Sequence, residues 1–179
     1  ARSWSDLFKD FIKQRLGRKR DAVIDSGVRE STIARLLDDV EWRILRYQPD
    51  VVILSPGGAD FSDEPETRQS VREALTKLIE FLHERNCAVI VCTPPAVELA
   101  EVASSPGIEA TAHIIRSVAG ETGALLVDHH DRWLRTLNQP GFKLKLFQPD
   151  GLRPSRDGHS KLVRQLLRSL GLIESDRTD

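Results

Sequence analysis

Charge of one sign is what this chain most lacks: 26 basic residues face 27 acidic ones, for a formal net charge of -1. Without a basic excess there is no electrostatic footprint for nucleic acid or for an anionic membrane surface. The run Arg18-Lys19-Arg20 is short and reads as a solvated turn. Long apolar runs are missing too. None approaches the roughly 18 residues of a membrane helix, and no signal-peptide pattern opens the chain, so the sequence leaves localisation open. Cysteine is scarce, with only Cys87 and Cys92. On a strand CAVIVC their odd spacing sends the side chains to opposite faces, about 16 Å apart. A disulfide needs Cα atoms within about 7 Å, so two buried free thiols are expected. No dinucleotide glycine fingerprint or P-loop occurs, and no pair of histidines and carboxylates has zinc-ligand spacing. No cofactor and no metal site are expected.

What is there is ordinary globular composition, 40% hydrophobic and 30% charged over 179 residues, enough for one domain spanning 1–179 with a sizeable core. Trp4, Leu7, Phe8, Phe11, Ile12 and Leu16 recur at helical spacing, with Ser3 and Asp6 as a cap and Gly17 as a stop. A short apolar run, Ala22-Val23-Ile24, then reads as a strand ending in Asp25-Ser26-Gly27. A second helix is predicted over 33–47. Val51-Val52-Ile53-Leu54 follows with no polar alternation, the pattern of a strand buried on both faces in a parallel sheet. The unit repeats as a helix over 66–85 before strand 88–91, and as a helix over 108–121 before strand 124–127. A last helix spans 157–170. Trp4, Trp42 and Trp133 sit at helical positions among apolar neighbours and are expected in the core, while His83 and His113 are expected as surface or packing residues on helices. Helices alternating with buried strands predict an α/β domain, a three-layer sandwich around a central parallel sheet. In such sheets ligands bind beyond the carboxyl ends of the strands. The loops 25–32, 55–61, 92–97, 128–132 and 150–156 are therefore the places to look for a site.

Three of these loops carry motifs. Asp25-Ser26-Gly27-Val28-Arg29-Glu30-Ser31-Thr32 resembles an Asn-x-Gly-x-x-Gly-x-Thr turn, and Gly57-Gly58-Ala59-Asp60 resembles Gly-x-Asn-Asp. Asp150-Gly151-Leu152-Arg153-Pro154 resembles Asp-x-x-His-Pro, with Gly158-His159 and a leucine-rich helix downstream. In this order and at these strand ends, the chain resembles the SGNH/GDSL family of serine ester hydrolases, lipase- and acylhydrolase-like proteins of flavodoxin-like architecture. The resemblance implies a task for each position. A first-block serine attacks an ester carbonyl, the last-block histidine takes its proton, and the aspartate orients that histidine. The second-block glycine and third-block asparagine help form the oxyanion hole.

Measured against that pattern, the chain resembles a degenerate member. The acid position is kept as Asp150. The base position holds Arg153, whose guanidinium cannot be deprotonated. Ala59 replaces the asparagine donor, and loss of one such donor costs about 100- to 1,000-fold in rate. Glu30 replaces the glycine and would set a carboxylate near a developing oxyanion. If Gly27 rather than Glu30 held that position, Ala59 and Arg153 would still stand. No Gly-Asp-Ser occurs, so no nucleophile can be named in the chain. Without the first block, four strands would flank a gap of unpaired backbone. This leads us to expect either native residues before Ala1 or a strand supplied by a partner chain.

The residues expected to line the cleft are Gly27, Arg29, Gly57, Gly58, Asp60, His129 and His130. His129 and His130 are candidates for a relocated base, although such a pair more often caps a helix or ties a loop. His159 is expected on the first turn of the last helix. Arg153 beside Asp150 reads first as a structural ion pair and second, with Arg29 and Arg156, as an anion site. The sequence thus supports a hydrolase-like fold with lost or strongly reduced catalysis and a binding role for a small ester or an anionic ligand. Its alternatives are an active serine esterase or acyltransferase whose nucleophile lies in an N-terminal segment preceding Ala1, with a relocated base, and a structural subunit completed by a partner strand.

Overall fold

The computed structural model describes residues 2–96, 107–137, 139, 147–148 and 153–174. They fall into two compact units, one of residues 26–136 and one of residues 1–25 with 137–179.

In the larger unit three parallel strands stand in the order β1 (Val51–Leu54), β2 (Ala88–Cys92), β3 (Leu125–Val127). Val51 pairs with Ala88, and Ile90 with Leu125. The run 88–92 is central and buried after its first residue, as its unbroken apolar character demands. Helices α4 (Pro65–His83) and α5 (Ile108–Thr122) make the crossovers and pack on each other and on β2. Proline at the first turn starts α4 where its missing N–H costs nothing. Leu75, Leu78, Ile79 and Leu82 of α4 meet Val89, Val91, Ile115 and Val118 in the core. Helix α6 (His129–Leu137), legible in the sequence only through the helical position of Trp133, follows β3 and inserts Trp133, fully buried as expected.

The single helix expected over 33–47 is broken. It forms α2 (Ile33–Asp38), α3 (Val40–Arg43) and a 3-10 turn, Leu45–Tyr47, which ends at Gln48 in the left-handed region. Asp38 and Asp39 compete with the helical backbone for hydrogen bonds, and β-branched Val40 follows them. Trp42, expected in the core, is 71% exposed there, with Arg46 stacked 4.1 Å from its ring centroid. Ala22–Ile24 forms no strand, and Ile24 is half exposed. A strand needs a ladder partner to satisfy its backbone, and none pairs with this run among the described residues. The described sheet therefore has three strands where four were expected. The outer edge of β1 is likewise unpaired among the described residues.

In the smaller unit, α1 (Trp4–Asp10) opens with the expected capping box. Ser3 Oγ accepts from Asp6 N, and Ser3 N donates to the Asp6 carboxylate. A wider turn, Phe11–Arg15, continues it until Gly17 at φ +67°. Helix α7 (Arg156–Ser169) is capped by Ser155 and buries Leu162, Val163, Leu166 and Leu167. It packs on α1. Cys87 and Cys92 are buried free thiols. Cys87 Sγ donates to Pro49 O, and burial pushes the Cys92 thiol up to about 12.

Candidate functional site

The loops at the expected strand ends hold most of the expected residues. In the first, Gly27, Arg29 and Glu30 are all exposed. Glu30 has φ +59°, a left-handed backbone that glycine adopts freely and a side chain resists. Thr32 caps α2 by accepting from Arg35 N at 3.2 Å. Arg43 holds the loop from below, donating to Ser31 Oγ at 2.9 Å and to Ser26 O at 3.3 Å.

After β1, Gly57, Gly58 and Ala59 are exposed in a tight turn, and Asp60 is buried. Its carboxylate accepts from Ile33 N at 2.9 Å and from the Gly57 backbone. Asp60 thereby joins the two motif loops by satisfying donors at the start of α2. Burial raises its carboxyl above the ordinary aspartate value, against the lowering effect of those two bonds. Ala59 presents only a methyl group.

The remaining strand ends hold a network that the sequence reading missed. Asp128, just past β3, accepts from Arg116 Nε at 2.6 Å and Nη2 at 3.1 Å. It also accepts from Thr93 Oγ1 at 3.0 Å and Asp131 N at 3.1 Å. Thr93 Oγ1 in turn accepts from His130 N at 2.9 Å. Burial pushes the Asp128 carboxyl up, but the bonds from Arg116, Asp131 and Thr93 together outweigh it and hold the group below the usual aspartate value. Thr93 and Asp128 lay in loops marked by their strand-end positions. Arg116 gave no signal, because one basic residue on an amphipathic helix reads as solvated. His129 and His130 open α6 and are both buried. His130 Nδ1 lies 3.4 Å from Arg116 Nη2. Burial first, then the Arg116 charge, keeps the His130 ring below its usual value.

In the smaller unit Arg153 is exposed, and His159 lies on the first turn of α7, as expected. Burial lowers His159, and its Nδ1 is enclosed without a hydrogen bond among the described residues. Gly158 is packed so closely that a β-carbon there would overlap Phe147 O. Asp150 lies outside the described residues. No group of three or more metal-ligating side chains occurs among the described residues. No helix among them is long and apolar enough to cross a membrane.

The profile of the GDSL-like Lipase/Acylhydrolase family matches residues 1–161. No curated protein sequence matches the chain. Among solved structures, Axe2, an acetylxylan esterase from Geobacillus stearothermophilus, is 21% identical with a TM-score of 0.83, covering 100% of this chain and 85% of its own. LAE5, an alpha/beta hydrolase enzyme from the metagenome of Lake Arreo, is 20% identical with a TM-score of 0.82, covering 97% and 83%. The acetyl xylan esterase AlAXEase is 21% identical with a TM-score of 0.80, covering 94% and 90%. At these identities the likeness is one of fold: the three-layer α/β, parallel-sheet architecture of SGNH hydrolases.

Proposed function

Because the chain belongs to the GDSL-like lipase/acylhydrolase family, we propose that it keeps the family's esterase-type scaffold as one domain while ester hydrolysis is lost or strongly reduced, and that it acts by binding. The observation that carries this reading is the substitution of three motif positions by residues unable to do the family's chemistry: Arg153, Ala59 and Glu30. Arg153 cannot accept a proton from a nucleophile. Ala59 offers no side-chain donor to an oxyanion. The left-handed backbone at Glu30 supports its alignment with a family glycine, and its carboxylate opposes an anionic intermediate there. Each defect acts in the transition state, so together they argue for more than the loss of a single donor.

The test is hydrolysis of p-nitrophenyl acetate by the full-length protein, alone and with Glu30→Gly, Ala59→Asn and Arg153→His combined. We expect turnover indistinguishable from background in the parent; the triple variant, which restores the base and the oxyanion groups but no nucleophile, is expected to gain turnover only together with a first-block serine. Turnover in the parent that is well above background and abolished by mutating one serine would overturn the proposal and establish an active esterase. A second reading, a structural subunit whose sheet is completed by a partner strand, is favoured by the outer edge of β1, which no described strand pairs and where Val51 is 50% exposed. Gel filtration with mass detection tests it, and a clean monomer counts against it.

A further inference from the structure

An open groove of about 900 Å³ lies over the first turns of α4 and α5, lined by Pro65, Arg68, Ile108, Ala110, His130 and Leu134 among others. Neither helix start is capped by a side chain. In α5 the N–H groups of Ile108, Glu109 and Ala110 have no partner among the described residues. Three unpaired donors at the positive end of a 15-residue helix favour an anion.

A second, separate feature faces the same groove. The His130 side chain is 5% exposed, and its Nδ1 is the atom next to Arg116. A guanidinium only donates, so Nδ1 accepts and the neutral ring carries its proton on Nε2. That Nε2 bonds to nothing among the described residues, yet it is not sealed off. His130 is one of the residues that line the groove. The two arginines of α4 are already engaged, Arg68 with Asp63 and Arg72 with Glu121. Recognition therefore falls to the α5 amides and His130, beside an apolar wall of Pro65, Ala96, Ile108 and Leu134.

We propose that this groove binds a small carboxylate with an apolar body, the carboxylate on the first-turn amides of α5 and the His130 Nε2–H, and the hydrocarbon along the apolar wall. Binding there does not depend on whether hydrolysis is lost. Exposed Glu109 at its rim opposes the ligand and limits its affinity.

The test is titration of the ¹⁵N-labelled full chain with hexanoate and, separately, with the uncharged hexanamide, followed through the amide signals. Hexanoate is expected to shift Ile108, Glu109 and Ala110 with saturation, and hexanamide to bind at least tenfold more weakly. His130→Phe is expected to weaken hexanoate at least fivefold. Glu109→Gln, a surface change that leaves the core untouched, is expected to tighten it two- to threefold. Equal binding of hexanamide, absence of shifts at these amides, or a Glu109→Gln variant with unchanged affinity would each overturn the proposal.

Discussion

At Gly107 the backbone has φ +85°, and a β-carbon would overlap the backbone of Ser62. An alanine there meets both the left-handed penalty, roughly 1–2 kcal/mol, and an overlap that a backbone neighbour cannot relieve by rotating a side chain. Gly107→Ala is expected to cost about 2–4 kcal/mol in urea denaturation. A loss under 1 kcal/mol would show that the 62 loop yields freely. Glu30 presents the opposite case, a side chain on left-handed backbone with nothing burying it. Glu30→Gly should raise stability by about 0.5 kcal/mol, the relief of strain less glycine's extra unfolded-state entropy. Glu30→Ala should give no gain, and thermal melts of the pair would separate the two. Glu30 was legible as a family glycine position from its spacing, but its strain was not, because no sequence pattern reports a φ angle. Gly107 gave no signal at all, since what it avoids is 45 positions away in the chain.

Asp128 shows how one side chain can tie elements together, linking the end of β2 through Thr93, helix α5 through Arg116 and the first turn of α6 through Asp131 N. Its folded-state carboxyl titrates below the ordinary aspartate value. The unfolded chain therefore binds this proton first as pH falls, and the network's contribution is present above pH about 4 and lost as pH drops through the lower folded value. Arg116→Gln, which removes the charge that favours the carboxylate, should flatten that part of the acid-stability curve and cost about 1–3 kcal/mol at pH 7. An unchanged acid limb in pH-dependent melts would refute the assignment. Asp60 carries the opposite sign. Its raised carboxyl is more readily protonated folded than unfolded, so its contribution falls as pH rises through the carboxylate range. Element by element, the strands 51–54 and 88–92 were legible because short apolar runs without polar alternation have one common use, a sheet buried on both faces. The run 22–24 misled because pairing depends on a neighbour, which local composition cannot supply. Helix α6 was legible only as a helical position for Trp133, because its opening His-His-Asp-Arg carries no apolar periodicity that would give it bounds.

Across the described chain, buried apolar contacts are unevenly shared. The larger unit holds the core cluster built on α4, β2 and α5, whereas the smaller unit's buried set is essentially Ile12 with the leucines and valine of α7. None of Glu30, Ala59 or Arg153 is part of either core, since all three are exposed. The residues that set the fold and those that would set the chemistry are thus different, which is why the α/β architecture was legible while the activity was not. Periodicity reports burial, and burial says nothing about whether an exposed loop position carries a histidine or an arginine. The same unevenness predicts a graded opening of the molecule. Strand β2 is hydrogen-bonded on both sides, and the faces of α4 and α5 that cover it are fully enclosed, so its amides should exchange only through the largest openings. Native-state hydrogen exchange is expected to be slowest at Val89, Ile90 and Val91. It should be faster by an order of magnitude or more in α1, whose residues are at most half-buried, and whose unfolding would expose far less apolar surface. Equal protection of α1 and β2 would mean that stability is set by something other than this core.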